Sequence, residues 1–211
     1  MHKEPLALNR MSRQTLQVMW DVISRNKPVF ADYMNKKAKL LGKEKLDWND
    51  VEAPVGESGG TISYAEGAQL IYDQFKRFSP KMADFAQRAF EDRWIEAEDR
   101  PGKRPGGFCT SFPVKGETRI FMTYSGTASN VSTLAHELGH GYHQHVMTDM
   151  PALAQQYAMN VAETASTFAE MIVSDAVVKA AANPMQKLNL LDDKISRSIV
   201  FYMNIHARFI F

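Results

Sequence analysis

His136 and His140 stand four residues apart, with Glu137 between them, and that spacing puts both imidazoles on one face only if the segment is helical. On an α-helix they lie one turn apart, ~5–6 Å between Cβ atoms. Two neutral nitrogens so placed hold one divalent cation at ~2.0–2.1 Å. Glu137 points to the side of that face, where its carboxylate reaches a metal-activated water without ligating the ion. The flanking Leu134, Ala135, Leu138 and Gly139 are apolar or small. The helix is therefore expected to sit in a core with its polar side lining a cleft. A bare H-E-x-x-H also arises as a polar pair on an ordinary helix, so the third ligand decides.

Glu163 is the candidate. Twenty-two residues separate it from His140, enough to finish one helix, turn at Pro151 and bring a second helix back alongside. Its neighbours Val161, Ala162, Ala165 and Ser166 are apolar or small, and an ionised carboxylate in such a context is costly unless paired or metal-bound. His136, His140 and Glu163 leave a fourth position open, as a catalytic Zn²⁺ requires, and a His₂Glu set favours one Zn²⁺ ion. Glu170, two helical turns on, shares the face of Glu163 and is placed to orient a ligand histidine.

Other residues carry weaker expectations. His143 follows His136 by seven, on the same face, as a fourth ligand, a substrate contact or a hydrogen-bonded core residue; two turns is far for one ion, so ligation is the least expected of the three. His145 is assigned to the surface, and His2 and His206 have no identifiable partner. Tyr124, at a strand end, either projects toward the metal or packs. Cys109 is the only cysteine, which excludes an intramolecular disulfide and a cysteine-based zinc site; it reads as a buried small residue. The 12 methionines read as core filler.

Composition narrows the partners. With 25 basic and 24 acidic residues and a net charge of +1, no global field favours nucleic acid or an anionic membrane. The run Lys36-Lys37-Ala38-Lys39 reads as a solvated helix face. No apolar stretch is long enough to span a bilayer and no leader is evident at the N-terminus, so a cytoplasmic location is expected. At 45% hydrophobic, the 211 residues suit one domain, or one domain with an appended helical hairpin.

Along the chain, Ser12 caps a helix with Leu16, Met19, Trp20 and Ile23 on one stripe, which Pro28 is expected to kink or split before it ends at Gly42. Asp47 to Gly60 reads as loop, marked by Pro54, Gly56 and Gly59. Ser63-Tyr64-Ala65-Glu66 is a capping box opening a second helix with Leu70 and Phe75 inward. Pro80 starts a third, whose buried face is Met82, Phe85, Ala86, Ala89 and Trp94. Phe108–Phe112 and Thr118–Tyr124 form a β-hairpin. Helices follow at roughly 129–147, 153–182 and 185–211. The last is still apolar and uncapped at Phe211, which leads us to expect a piece of something longer.

The string His136-Glu-Leu-Gly-His140-Gly-Tyr-His143 resembles the H-E-x-G-H-x-x-H signature of the oligoendopeptidase F and thimet oligopeptidase family. Glu163-Thr-Ala-Ser-Thr is similar to the oligoendopeptidase F branch. The resemblance extends through Arg104-Pro-Gly-Gly-Phe108, Tyr124-Ser-Gly-Thr127 and Asn9-Arg10. It implies a mainly α fold: a helical zincin-type catalytic core with a small β-hairpin or sheet preceding the zinc-binding helix. The chain is then a partial peptidase catalytic domain over 1–211, with a helical part at 1–99, a β-hairpin region at 100–126 and zinc-binding helices at 127–211. The activity implied is zinc-dependent endopeptidase cleavage of short unstructured peptides in a channel that excludes folded proteins. The hairpin's edge strand would pair with the peptide backbone. His136, His140 and Glu163 are carried over as ligands and Glu137 as base. His143, Glu170, Tyr124 and Gly107 are candidates for substrate contact or ligand support.

Family members are longer at both ends, and their downstream part supplies tyrosine and histidine donors to the oxyanion. Loss of one such donor costs roughly 10²–10³ in kcat, so weak or no activity is expected of this chain alone. Two other classes stand beside the peptidase. One is a non-catalytic, zinc-containing remnant that binds peptides or mediates association; the other is a structural helical domain whose histidines bind nothing. Apolar helix faces left uncovered would favour self-association.

Overall fold

The computed structural model of the chain describes residues 3–55 and 60–211, so His2, Gly56 and Gly59 lie outside the described residues. The helices are α1 (Lys3–Leu8), α2 (Arg13–Leu40), α3 (Tyr64–Phe78) and α4 (Pro80–Glu91). Strands β1 (Ile95–Glu96), β2 (Gly107–Phe112) and β3 (Glu117–Met122) come next. Then follow α5 (Ala128–His145), α6 (Met159–Lys179), α7 (Pro184–Ile199), a π-helical turn (Val200–Asn204) and α8 (Ile205–Ile210). The fold is mainly α with one small sheet. The chain divides into two compact units, one formed by 1–58 with 181–211, the other by 59–180.

In the first unit, the Ser12 hydroxyl caps α2 by accepting from the Thr15 amide at 3.0 Å. Gly42, at φ +69°, turns the chain away just past its end. Pro28 neither splits nor ends α2, which runs for 28 residues. The ~3 kcal/mol that an interior proline costs is offset by partners on both sides of it. Trp20 stacks on His206 at 4.1 Å before Pro28, and Phe30 packs on Tyr202 at 5.5 Å after it. His206, without a foreseeable partner in the sequence, is thus a buried ring in an aromatic stack.

The lysine run is not uniformly solvated. Lys36 pairs at the surface with Asp32, but Lys37 is 1% exposed. Its ammonium donates to Asp192 Oδ2 at 2.9 Å, to the Val51 carbonyl at 3.0 Å and to Ser196 Oγ at 3.4 Å. The Tyr33 hydroxyl also donates to the Asp192 carboxylate. Burial first, and that bond second, hold its pKa well above the ordinary phenol range.

The second unit carries the core. Ser63 and Glu66 form the expected capping box, with the Ser63 amide donating to Glu66 Oε2 at 2.8 Å, and Pro80 opens α4. Phe75, Met82, Phe85, Ala86 and Ala89 pack with Ile120, Met122, Leu134, Leu138 and Val173. Trp94 belongs to this core from beyond α4, because Arg93 at φ 56° breaks the helix first.

β2 and β3 are the expected hairpin, antiparallel with Gly107 opposite Met122 and Phe112 opposite Glu117. On β3, Thr118, Ile120 and Met122 point inward, the alternation of a half-buried strand. A third strand, β1, too short to show a period, pairs parallel to β3. The order β1-β3-β2 leaves β2 at an edge.

α5 begins at a Thr127–Asn130 capping box, and α6 returns along it. The closeness of the two helices rests on Gly139, where a Cβ would stand 2.7 Å from Ala169 Cβ, 2.9 Å from Ser166 Cα and 3.0 Å from the Ala165 carbonyl. Two of these are backbone atoms and cannot swing aside. Gly139→Ala is therefore expected to destabilise this unit by about 1–3 kcal/mol, despite alanine's better helix propensity. Thermal unfolding checks it, and an unchanged or raised Tm would mean the helices separate freely. α6 itself begins at Met159 rather than 153, since Ala152–Gln155 form a 3₁₀ turn and Gln156 and Ala158 are extended.

Candidate metal centre and its family

α5 and α6 bring the expected ligands together. One ligand atom each from His136, His140 and Glu163 lie within 4.8 Å of one another. Glu163 Oε2 is 3.3 Å from His136 Nε2 and 3.6 Å from His140 Nε2. Ligands of a tetrahedral Zn²⁺ at ~2.0–2.1 Å stand ~3.3–3.4 Å apart, so this donor set fits the ion.

Supporting contacts fix the orientations. Glu170 Oε2 lies 3.2 Å from His136 Nδ1, which holds that ring and leaves Nε2 for a metal. Burial pulls the His136 pKa down, but the Glu170 bond and the charges of Glu137, Glu170 and Glu163 outweigh it and the net shift is upward. His140 is shifted down, by burial first. Glu170→Gln is expected to weaken zinc affinity about 10–100-fold. Competition with a chromogenic chelator would measure this, and unchanged affinity would remove Glu170 from the site.

Glu163 does not sit in the apolar surroundings that its sequence neighbours suggest: its side chain is 46% exposed. Its direction comes from Ser166, fully buried one turn on, whose hydroxyl lies 2.9 Å from Glu163 Oε2. Sequence reasoning missed Ser166. The signal was its i+3 position after a ligand carboxylate.

Glu137 is buried, and burial pushes its pKa up to about 7, with His136 opposing and Glu163 adding to the rise. A carboxyl near neutrality is suited to exchange a proton with water at physiological pH. Gly107, first residue of β2, lies against it: a Cβ there would be 3.0 Å from Glu137 Oε1. The edge strand thus starts at the candidate base.

The other candidates lie as follows. His143 is half-buried, with its ring 4.4 Å from that of Tyr157. Tyr124 is directed elsewhere. Its hydroxyl points to the Ile62 and Ser63 carbonyls at 3.1 and 3.2 Å, at the start of α3, and its ring packs on Tyr64. His145 is exposed, against Phe85. The Cys109 thiol is pushed up to about 12, by burial first and then by the Glu137 charge, and stays protonated.

The model of peptidase family M3 matches residues 69–211. The chain belongs to that family. The match takes in the sheet, both helices of the candidate metal centre and α7. An oligoendopeptidase F homologue of Lactococcus lactis is 26% identical over 97% of this chain, and oligopeptidase PepF of Bacillus subtilis is 24% identical over 97%. The aligned regions are 34% and 31% of those proteins, so the chain spans about a third of the length of the curated relatives it matches. Among solved structures, a candidate peptidase from Chlamydophila abortus superposes with a TM-score of 0.76 at 23% identity, over 92% of this chain and 33% of that one. PZ peptidase A, solved with an inhibitor, gives 0.67 at 19%, over 93% and 34%. At these identities the two structures speak for the fold alone. Among the described residues, no helix is long and apolar enough to cross a membrane.

Proposed function

We propose that this chain carries the metal-binding and base machinery of a zinc-dependent endopeptidase acting on short, unstructured peptides. The observation that carries the reading is the single Glu163 oxygen standing 3.3 and 3.6 Å from the Nε2 atoms of His136 and His140. His136, His140 and Glu163 would hold the ion, which when bound supplies Lewis acidity and lowers the pKa of water toward neutrality.

The remaining work falls to the protein. Glu137 accepts the proton from the attacking water and delivers it to the leaving amine, and its raised pKa suits both transfers. Glu170 holds His136 in the tautomer that presents Nε2. β2, with one edge unpaired by any strand among the described residues, offers backbone donors and acceptors to an extended peptide. Gly107 lets that strand lie against Glu137.

The test combines metal analysis with turnover. Protein purified without added metal is expected to carry zinc in a one-to-one ratio, and Glu163→Ala to carry little. Stripping the metal with a chelator should abolish cleavage of a quenched fluorescent peptide, and added zinc should restore it. Equal zinc content in the parent and the alanine variant would overturn the ligand assignment, and cleavage that survives metal removal would overturn the mechanism.

A further inference from the structure

Tyr157 is absorbed neither by the core nor by the metal centre. It lies in the connection from α5 to α6, which is fastened in place: Gln144 Nε2 donates to Gln155 Oε1 at 2.9 Å, and Gln155 Nε2 donates to the Met150 carbonyl at 2.8 Å. The chain then runs extended through Gln156 to Ala158, the residue before α6. Over that stretch the Tyr157 ring is laid on His143 of α5, with centroids 4.4 Å apart and planes at 35°. His143 Nδ1 is buried with no hydrogen-bond partner among the described residues, and the tilted contact with Tyr157 helps to orient its ring.

Cys109 of the sheet lies near Tyr157. Burial, and then the nearby Cys109, raise the pKa of its hydroxyl. Cys109 is two residues after Gly107 on β2, so the two share a face of the strand. That face is the one against Glu137, since a Cβ on Gly107 would touch the Glu137 carboxylate and the Glu137 charge acts on Cys109. α5, the α6 entry and β2 thus bring His143, Tyr157, Cys109 and Glu137 near one another, and Tyr157 remains 36% exposed. An aromatic side chain held against a neighbouring ring yet left partly open is a preorganised contact surface.

We propose that Tyr157 is a substrate-positioning residue: its ring, fixed by His143, forms a subsite for an apolar or aromatic side chain of the peptide paired with β2, and its hydroxyl donates to that peptide's backbone. The proposal rests on the endopeptidase reading above. A peptide added to the free edge of β2 alternates its side chains between the two sheet faces. Those on the face of Cys109 and Gly107 turn toward Tyr157, while the backbone passes Glu137. The subsite thus selects one residue of the peptide relative to the bond being cut.

The experiment uses the zinc-loaded chain carrying Glu137→Gln, so that the probe is not consumed. The probe is a fluorescein-labelled short peptide with a single phenylalanine walked along a Ser/Gly background, read by anisotropy. The parent is expected to bind tightest with phenylalanine at one position. Tyr157→Phe, which keeps the ring, should weaken that best peptide about 3–10-fold. Tyr157→Ala should weaken it at least about tenfold and erase the dependence on position. Zinc content and Tm are expected to stay unchanged in the Phe variant, which separates positioning from a structural role. Parent-like affinities in both variants would overturn the Tyr157 assignment and leave the endopeptidase reading standing. Loss of affinity accompanied by loss of zinc or a lowered Tm in Tyr157→Phe would overturn it in favour of a structural role. Failure of the zinc-loaded parent to bind any member of the series would instead remove peptide as the substrate class, and the subsite with it.

Discussion

Glu137→Gln is expected to lower peptide turnover by about 10²–10⁴-fold while zinc stays bound, the range a positioned general base contributes. Glutamine keeps the size of the side chain and its fit against Gly107, whose Cα approaches closely enough that even a Cβ would crowd the carboxylate. What it loses is the ability to take a proton. Glu137 is not among the three groups whose ligand atoms converge, so metal content should not change. The ratio is to be taken between parent and variant of this same chain, each loaded with zinc. Equal rates would deny Glu137 its role. A rate lost together with the zinc would show instead that the substitution disturbs the ligands.

Lys37→Ala is expected to destabilise the unit formed by 1–58 and 181–211 by about 3–5 kcal/mol, because it strands a buried carboxylate. Asp192 Oδ2 loses the ammonium at 2.9 Å, and the Val51 carbonyl loses its donor. Tyr33 still donates to Asp192, but a neutral hydroxyl cannot balance a full charge in a site this closed to water. Removing both charges with Lys37→Met and Asp192→Leu should recover much of the loss, since an apolar pair avoids the desolvation that the ion pair suffers. Denaturant unfolding of the two single variants and the double variant gives the coupling. A cost below about 1 kcal/mol for Lys37→Ala would place the pair in the weak class of surface ion pairs.

The two lysines at 36 and 37 show why local pattern misleads. Adjacent residues on a helix point in different directions, and only one faces water here. The partner that makes Lys37 internal lies 155 residues away in sequence, where no helical period reaches. Pro28 is a similar case: the local rule predicts a break, and aromatic contacts from the far end of the chain hold the helix across it. β1 has two residues and no period of its own; it exists because β3 offers an edge. Tyr157 sits in a connection without periodicity, so nothing local marks it.

By contrast, the caps at Ser12 and Ser63, the proline at the start of α4 and the alternation on β3 act over a few residues and were legible directly.

By itself the sequence determined that His136 and His140 share a helical face with Glu137 beside it, because a spacing of four on an α-helix leaves no other arrangement. It also determined the hairpin before that helix and the return of a second helix carrying Glu163. Only the tertiary structure decided the approach of α5 to α6 through Gly139, the direction Ser166 gives to Glu163, and the burial that lifts Glu137 toward neutrality. Each of these depends on atoms from segments distant in the chain meeting at a few ångströms, and that is set by how the whole core packs.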